Sequence, residues 1–124
     1  MWTAATTDVF DEWFQTLGDE ERAEIEAKVN LLELFGPALG RPHADTLNGS
    51  KYPNMKELRA EVADHTLRIA FAFDPSRAAI LLVGGDKRGR PQRPFYRQLI
   101  AKADILHAEH LSTMKKPTKK RGAE

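Results

Sequence analysis

Apolar residues recur along this chain with two different periods, helical at both ends and two-residue in the middle. Phe10, Trp13, Phe14 and Leu17 fall at i, i+3, i+4 and i+7, one face of a helix. Thr7 or Asp8 suits the N-cap of that helix, and Gly18 its C′ position. A second helix is predicted from Asp19-Glu20-Glu21, acids that favour the positive end of the helix dipole. It carries Ile25, Val29 and Leu32 inward and stops at Gly36-Pro37. Trp2–Thr6 reads as a short first strand. Residues 38–55 are punctuated by Gly, Pro, Asn and Ser and read as a long ordered loop. The period then changes to two. Leu58, Ala60 and Val62 share one face of a strand over 56–62, and Leu67, Ile69, Phe71 and Phe73 share one face of the next. Asp74-Pro75-Ser76-Arg77 has the type I turn pattern with Pro at the second position. Residues 78–83 are apolar on both faces and belong inside the sheet, with Gly84-Gly85 as the expected stop. A basic loop over 86–94 leads into a last helix with Phe95, Leu99, Ala103, Leu106 and His110 on its stripe. The order β–α–α–loop–β–β–β–α predicts an α+β fold, a small antiparallel sheet with an N-terminal helical hairpin and a C-terminal helix packed on it. One domain is expected over 1–114, followed by a basic disordered tail over 115–124.

Composition narrows this picture. With 124 residues, 41% of them hydrophobic, the chain can bury one core and not two. No apolar run approaches the ~20 residues of a membrane span, and the N-terminus has no basic start or apolar segment of a secretory signal. The sequence has no cysteine, which excludes disulfides, thiol nucleophiles and Cys-ligated zinc and fits a cytoplasmic protein. The net charge of +1 hides an asymmetry: residues 1–40 hold nine Asp/Glu and two Lys/Arg, and residues 41–124 hold nine and seventeen. An acidic front and a basic back fit contact with nucleic acid or another polyanion, or a solvated helix face with a loose tail.

Strand parity sets Arg59 and Arg68 on adjacent strands, both pointing away from the core, on a concave surface beside the loop Asp86-Lys87-Arg88-Gly89-Arg90. Fixed cations suit the negative charge that develops when a ribose 2′-OH attacks the neighbouring phosphorus and a 2′,3′-cyclic phosphate forms. Lys56, Arg59, Arg68, Lys87 and Arg88 could supply them, and Lys56, Asp86, Lys87 or Tyr96 the proton transfer. Arg59 could equally pair with Glu57 or Glu61. Asp104, His107 and His110 have helical spacing, but no HExxH pattern accompanies them and His110 falls on the apolar stripe, so they read as packing residues. Neither a metal nor a cofactor is expected. Tyr52, Phe95 and Tyr96 could stack on bases.

Three segments also carry a resemblance: LGRPHADTLNGSKYPNMKELR (39–59), LRIAFAFDPSRAAILLVGGDKRG (67–89) and FYRQLIAKAD (95–104). In this order they resemble the phage-derived Gp49-like toxins, the HigB-like branch of the RelE/ParE superfamily, over about residues 2–111. The resemblance implies a RelE-like fold and the toxin of a type II toxin–antitoxin module that cleaves mRNA on the ribosome without metal. It also implies a helix-turn-helix, HigA-like antitoxin as partner. Matched motif by motif, it implies catalytic roles for Arg59, Arg68 and Lys87, with Asp86 and Tyr96 beside them. Lys51, Lys56, Arg88, Arg90 and Arg93 become RNA-binding residues. The aromatic expected before the strand arginine is Leu67 here, and Tyr96 is a loose analogue of the C-terminal tyrosine of RelE. The ParE branch shares the fold and poisons DNA gyrase instead. A gyrase poison, or a nucleic-acid-binding module without catalysis, is therefore the alternative expectation.

Overall fold

The computed structural model describes residues 1–123, with side chains described through Met114. Its elements run β1 (Thr3–Thr6), α1 (Asp8–Gln15), α2 (Asp19–Phe35), a 3-10 turn (Gly36–Ala38), β2 (Ala44–Thr46), β3 (Lys56–Val62), β4 (His65–Phe73), β5 (Ala78–Asp86) and α3 (Gln92–Ala123). The tail expected over 115–124 falls outside the residues whose side chains are described. Thr7 caps α1, its hydroxyl accepting from the Phe10 N–H at 3.0 Å while donating to the Leu82 carbonyl at 2.6 Å. Gly18, expected to end α1, instead starts α2. Its N–H donates to the Glu21 carboxylate at 2.9 Å, the return half of a capping box. A left-handed Gly36 (φ 57°), with Trp2 packed against it, ends α2.

One sheet runs β1-β5-β4-β3-β2. It is mixed rather than antiparallel, because β1 pairs parallel with β5, with Thr3 opposite Ala78. The long loop expected over 38–55 contains the edge strand β2, three residues paired to β3. Such a short strand leaves no periodicity to read. The hairpin β3–β4 sets Arg59 opposite Arg68, and a two-residue turn through Ala63 (φ 46°) closes it. Gly84-Gly85 does not stop β5, which pairs with β4 through Asp86. There the strand is bare so that Trp13 of α1 and Phe95 of α3 can close on it from opposite sides, leaving no room for a Cβ at Gly84.

Both faces of the sheet are covered. Phe10, Ile25 and Leu32 of α1 and α2 pack on Leu58, Ala60, Leu67, Ile69, Phe71 and Leu81. On the other face, Phe95, Leu99 and Ala103 of α3 cover Ala70, Ala72, Ile80 and Leu82. The expected open face for the arginines is therefore roofed by α3 over much of its area, and only its end near the β3–β4 hairpin stays accessible. The Ala70 and Ala72 side chains make room for that helix.

Candidate functional site

Arg59 and Arg68 do lie side by side, and they converge on a carboxylate of the protein itself. Glu57, two residues before Arg59 on the same face of β3, is only 3% exposed. Its Oε2 accepts from Arg59 Nε at 2.9 Å, its Oε1 accepts from the Tyr96 hydroxyl at 2.8 Å, and Arg68 Nε stands 3.9 Å from Oε1. Arg59 also reaches Asp45 of β2 at 3.4 Å. Burial opposes the charge on Arg59, but the hydrogen bond and ion pair with Glu57 outweigh it and raise its pKa. Arg59 is thus engaged by carboxylates of the protein itself, and of the two expected arginines only Arg68 lines a cleft. Arg68 Nε is buried with no hydrogen-bond partner among the described residues, its guanidinium lies 5.9 Å from the Tyr96 ring, and NH1 donates to the Thr66 carbonyl at 3.3 Å. Burial, then the Glu57 hydrogen bond, pushes the Tyr96 hydroxyl up to about 12, so it stays a proton donor to Glu57 at neutral pH.

Arg68 opens into a cleft of about 330 Å³ at the end of the sheet, lined by Asp64, His65, Thr66, Arg68, Lys87, Arg88, Gly89 and Arg90. The β3–β4 turn forms one wall and the loop after β5 the other. Four cations line it. Arg88 is tied to Asp64 at 3.4 Å and Asp86 at 3.2 Å. Arg90 donates to Gln98 at 2.7 Å and lies over Phe95. Lys87 has no ion pair or side-chain hydrogen bond among the described residues, which leaves its ammonium available to a phosphate.

Other predicted residues are placed elsewhere. Lys56 is one position out of phase with Arg59 and lies on the α1/α2 face, opposite Phe71. The same alternation places Asp86, opposite the core residue Leu67, on that face, where it accepts from the Arg88 N–H at 2.9 Å. Lys51 is exposed beside α3, its N–H donating to Asp104, and Arg93 is exposed in the first turn of α3. Asp104 also accepts from the Ser50 hydroxyl, and His110 pairs with Asp74 at 2.8 Å. The three helical residues Asp104, His107 and His110 therefore do not converge, and among the described residues no cluster of metal-ligating groups forms.

Sequence reasoning missed His65, which precedes Leu67, the first position it read in that strand. Because β4 begins two residues earlier than predicted, His65 shares the phase of Leu67 and Ile69 and points toward α2. Its Nε2 meets Glu21 Oε2 at 2.8 Å and its Nδ1 meets Asp64 Oδ1 at 3.0 Å. These bonds, that with Glu21 foremost, raise the imidazole pKa, and they lower those of Asp64 and, after its bond from Gly18, Glu21. The signal was an acid at the third position of α2 and a histidine two residues before a core strand position.

Comparison with known proteins agrees with this architecture. The family model described as phage derived protein Gp49-like (DUF891) matches residues 12–107. A candidate toxin of Mycobacterium tuberculosis, HigB3, is 49% identical over 83 residues, covering 67% of this chain and 71% of that protein. A second candidate toxin of the same organism, HigB2, is 41% identical over 121 residues, covering 97% of this chain but only 59% of that protein. Among solved structures, a double mutant of the Escherichia coli toxin RelE in the free state aligns with TM-score 0.56 at 10% identity, covering 82% of this chain and 95% of that one. The archaeal RelE–RelB complex of Pyrococcus horikoshii contributes a chain with TM-score 0.53 at 16% identity, covering 73% and 98%. The solved structures share the fold, a mixed sheet between helices, and the sequence match spans nearly the whole described domain: the chain belongs to the phage-derived Gp49-like family.

Proposed function

We propose that this chain is the toxin of a type II toxin–antitoxin module and that it cleaves mRNA on the ribosome without a metal ion, in the cytoplasm. The observation that carries this reading is the cleft that gathers Arg68, Lys87, Arg88 and Arg90 around one open volume. In such a cleavage the 2′-oxygen attacks phosphorus, and negative charge grows on the non-bridging oxygens. Arg68 and Lys87 are the cations for that charge: Lys87 has no ion pair among the described residues, and the Arg68 guanidinium, its Nε buried, is aimed by Tyr96 and Glu57. Arg59 holds Glu57 in place and acts through it. Arg88 and Arg90 contact RNA phosphates at the cleft, and Arg93 and Lys51, outside it, contact them further along α3, a grip that weakens steeply with salt. Lys56 and Asp86, which do not line the cleft, have no contact with the scissile phosphate in this scheme. The similarity to candidate HigB toxins supports the toxin reading, and a RelE–RelB complex among the structural neighbours supports an antitoxin partner, here of the HigA-like helix-turn-helix type.

Brief induction followed by primer extension on translated mRNA tests the proposal. Cuts phased with codons are expected. DNA damage with intact mRNA would instead mark a gyrase poison, and neither signal would leave a binding module without catalysis.

A further inference from the structure

Proton transfer in this cleft has an owner that neither the resemblance nor strand parity named. Among the described cleft residues, Arg68, Lys87, Arg88 and Arg90 are the cations for the phosphate charge, and Tyr96 is bound to Glu57 behind Arg68. His65 is the remaining cleft group able to exchange a proton near neutral pH. Its environment is built for orientation. Glu21 uses both oxygens: Oε1 accepts from the Gly18 N–H at 2.9 Å, and Oε2 takes His65 Nε2 at 2.8 Å. The imidazole is thereby tied to the first turn of α2, and its side chain is only 8% exposed. Nδ1 is the atom left for the cleft. There it meets only Asp64, whose side chain is 77% exposed on the two-residue turn, and Arg88 NH1 at 3.3 Å. A carboxylate behind a histidine whose other nitrogen faces a cationic cleft has the layout of an oriented acid–base group.

We propose that His65 is the general acid of the cleavage, donating its Nδ1 proton to the leaving 5′-oxygen. This rests on the endonuclease reading of the cleft. In the step, the ribose 2′-OH loses its proton to water, the bond from the 2′-oxygen to phosphorus forms, and the bond from phosphorus to the 5′-oxygen breaks. That oxygen takes the Nδ1 proton, giving a 2′,3′-cyclic phosphate and a 5′-OH. The neutral imidazole then recovers a proton from solvent. The substrate oxygen replaces exposed Asp64 at Nδ1, while the Glu21 bond stays made. The groups facing the imidazole are Glu21 from α2, Asp64 in the turn, Asp86 at the end of β5 and Arg88 in the loop after it. The three carboxylates favour the protonated form, and Arg88 opposes it.

The test uses purified full-length protein on ribosomes programmed with an mRNA carrying either oxygen or bridging sulfur at the scissile 5′ position. Sulfur leaves without a proton, so only the oxygen substrate needs an acid. His65→Gln is expected to lose about 100-fold or more on the oxygen substrate and little on the sulfur one. The advantage of the native protein over His65→Gln should shrink as pH rises through the imidazole titration. With Glu21→Gln, which keeps the imidazole but removes the nearest charge, that shrinkage should move to lower pH. Equal loss on both substrates, or an advantage independent of pH, overturns the assignment. If His65→Gln fails to fold by circular dichroism, Glu21→Gln decides alone: a pH profile that coincides with that of the native protein overturns the proposal. Native protein that leaves ribosome-bound mRNA uncut on both substrates overturns the endonuclease reading, and the role of His65 with it. Cutting by native protein with an indifferent His65→Gln overturns only the latter.

Discussion

Glu57 occupies the point between Arg59 and Arg68 that an outside anion was expected to fill. Its two oxygens accept from Arg59 and Tyr96, and Arg68, the arginine nearer the cleft, keeps only a 3.9 Å contact with it. Replacing Arg68 by Ala removes one long hydrogen bond to Thr66 and a 3.9 Å ion pair, and Glu57 is not left bare, because it keeps its bonds from Arg59 and Tyr96. The variant is therefore expected to melt near the native temperature by calorimetry and to lose toxicity in a growth assay; a folded and fully toxic Arg68→Ala contradicts the role given to this residue. The arginine pair was legible because strand phase survives in the sequence. Its internal carboxylate was legible only as one of several partners, since choosing between Glu57 and Glu61 requires knowing that α3 and Tyr96 roof one of them. Lys56 and Asp86 were assigned to the cluster against their own phase, an error that counting positions along the strands corrects.

At the scale of elements, long periodic segments were read well: α1, α2, β3 and the turn at Asp74 lie where their spacing put them. What escaped was set by tertiary contact. Three-residue β2 exists because β3 offers it an edge, and β1 runs parallel because Trp2 and Thr7 are tied to Glu33 and Leu81 through backbone hydrogen bonds. The last helix carries a buried histidine in addition to its apolar stripe. His107 is 2% exposed, sits edge-on to Tyr52, and has no partner for Nδ1 among the described residues. Burial first, then nearby His110, lowers its pKa below the ordinary 6.5. The unfolded chain takes up a proton there below pH 6.5 and the folded chain does not, so acid destabilises the docking of α3, by at most about 1.4 kcal/mol per pH unit. His65 has the opposite sign: its raised pKa adds stability that is complete below 6.5 and fades as pH climbs through the folded value. Comparing native protein with His107→Leu isolates the first effect, because His65 is common to both. From pH 7.5 to 5.5 the melting temperature of the native protein should fall relative to that of the variant; parallel curves would refute a neutral buried His107.

Over the whole molecule, the charge division visible in the sequence becomes spatial. The acids of residues 1–40 lie mainly on α1 and α2, and the cations of the cleft lie at the end of the sheet and in the loop after β5. No described helix is long and apolar enough to cross a membrane. The final ten residues contribute five Lys/Arg and one Glu by sequence and carry no apolar periodicity, and among the described residues the last member of either core cluster is Leu106. Deleting residues 115–124 should therefore leave the melting temperature within a few degrees of native and flatten the salt dependence of ribosome binding; a large loss of thermal stability would show that the core extends further. The bare stretch at Gly84-Gly85 has a consequence for this arrangement. An indole and a phenyl ring clamp naked main chain just ahead of Lys87 and Arg88, so the spacing between the helical layers and the aim of those cations are one mechanical unit. A methyl inserted at Gly84 would act as a wedge, and the damage would be felt at the mouth of the cleft as much as in the interior where the wedge sits.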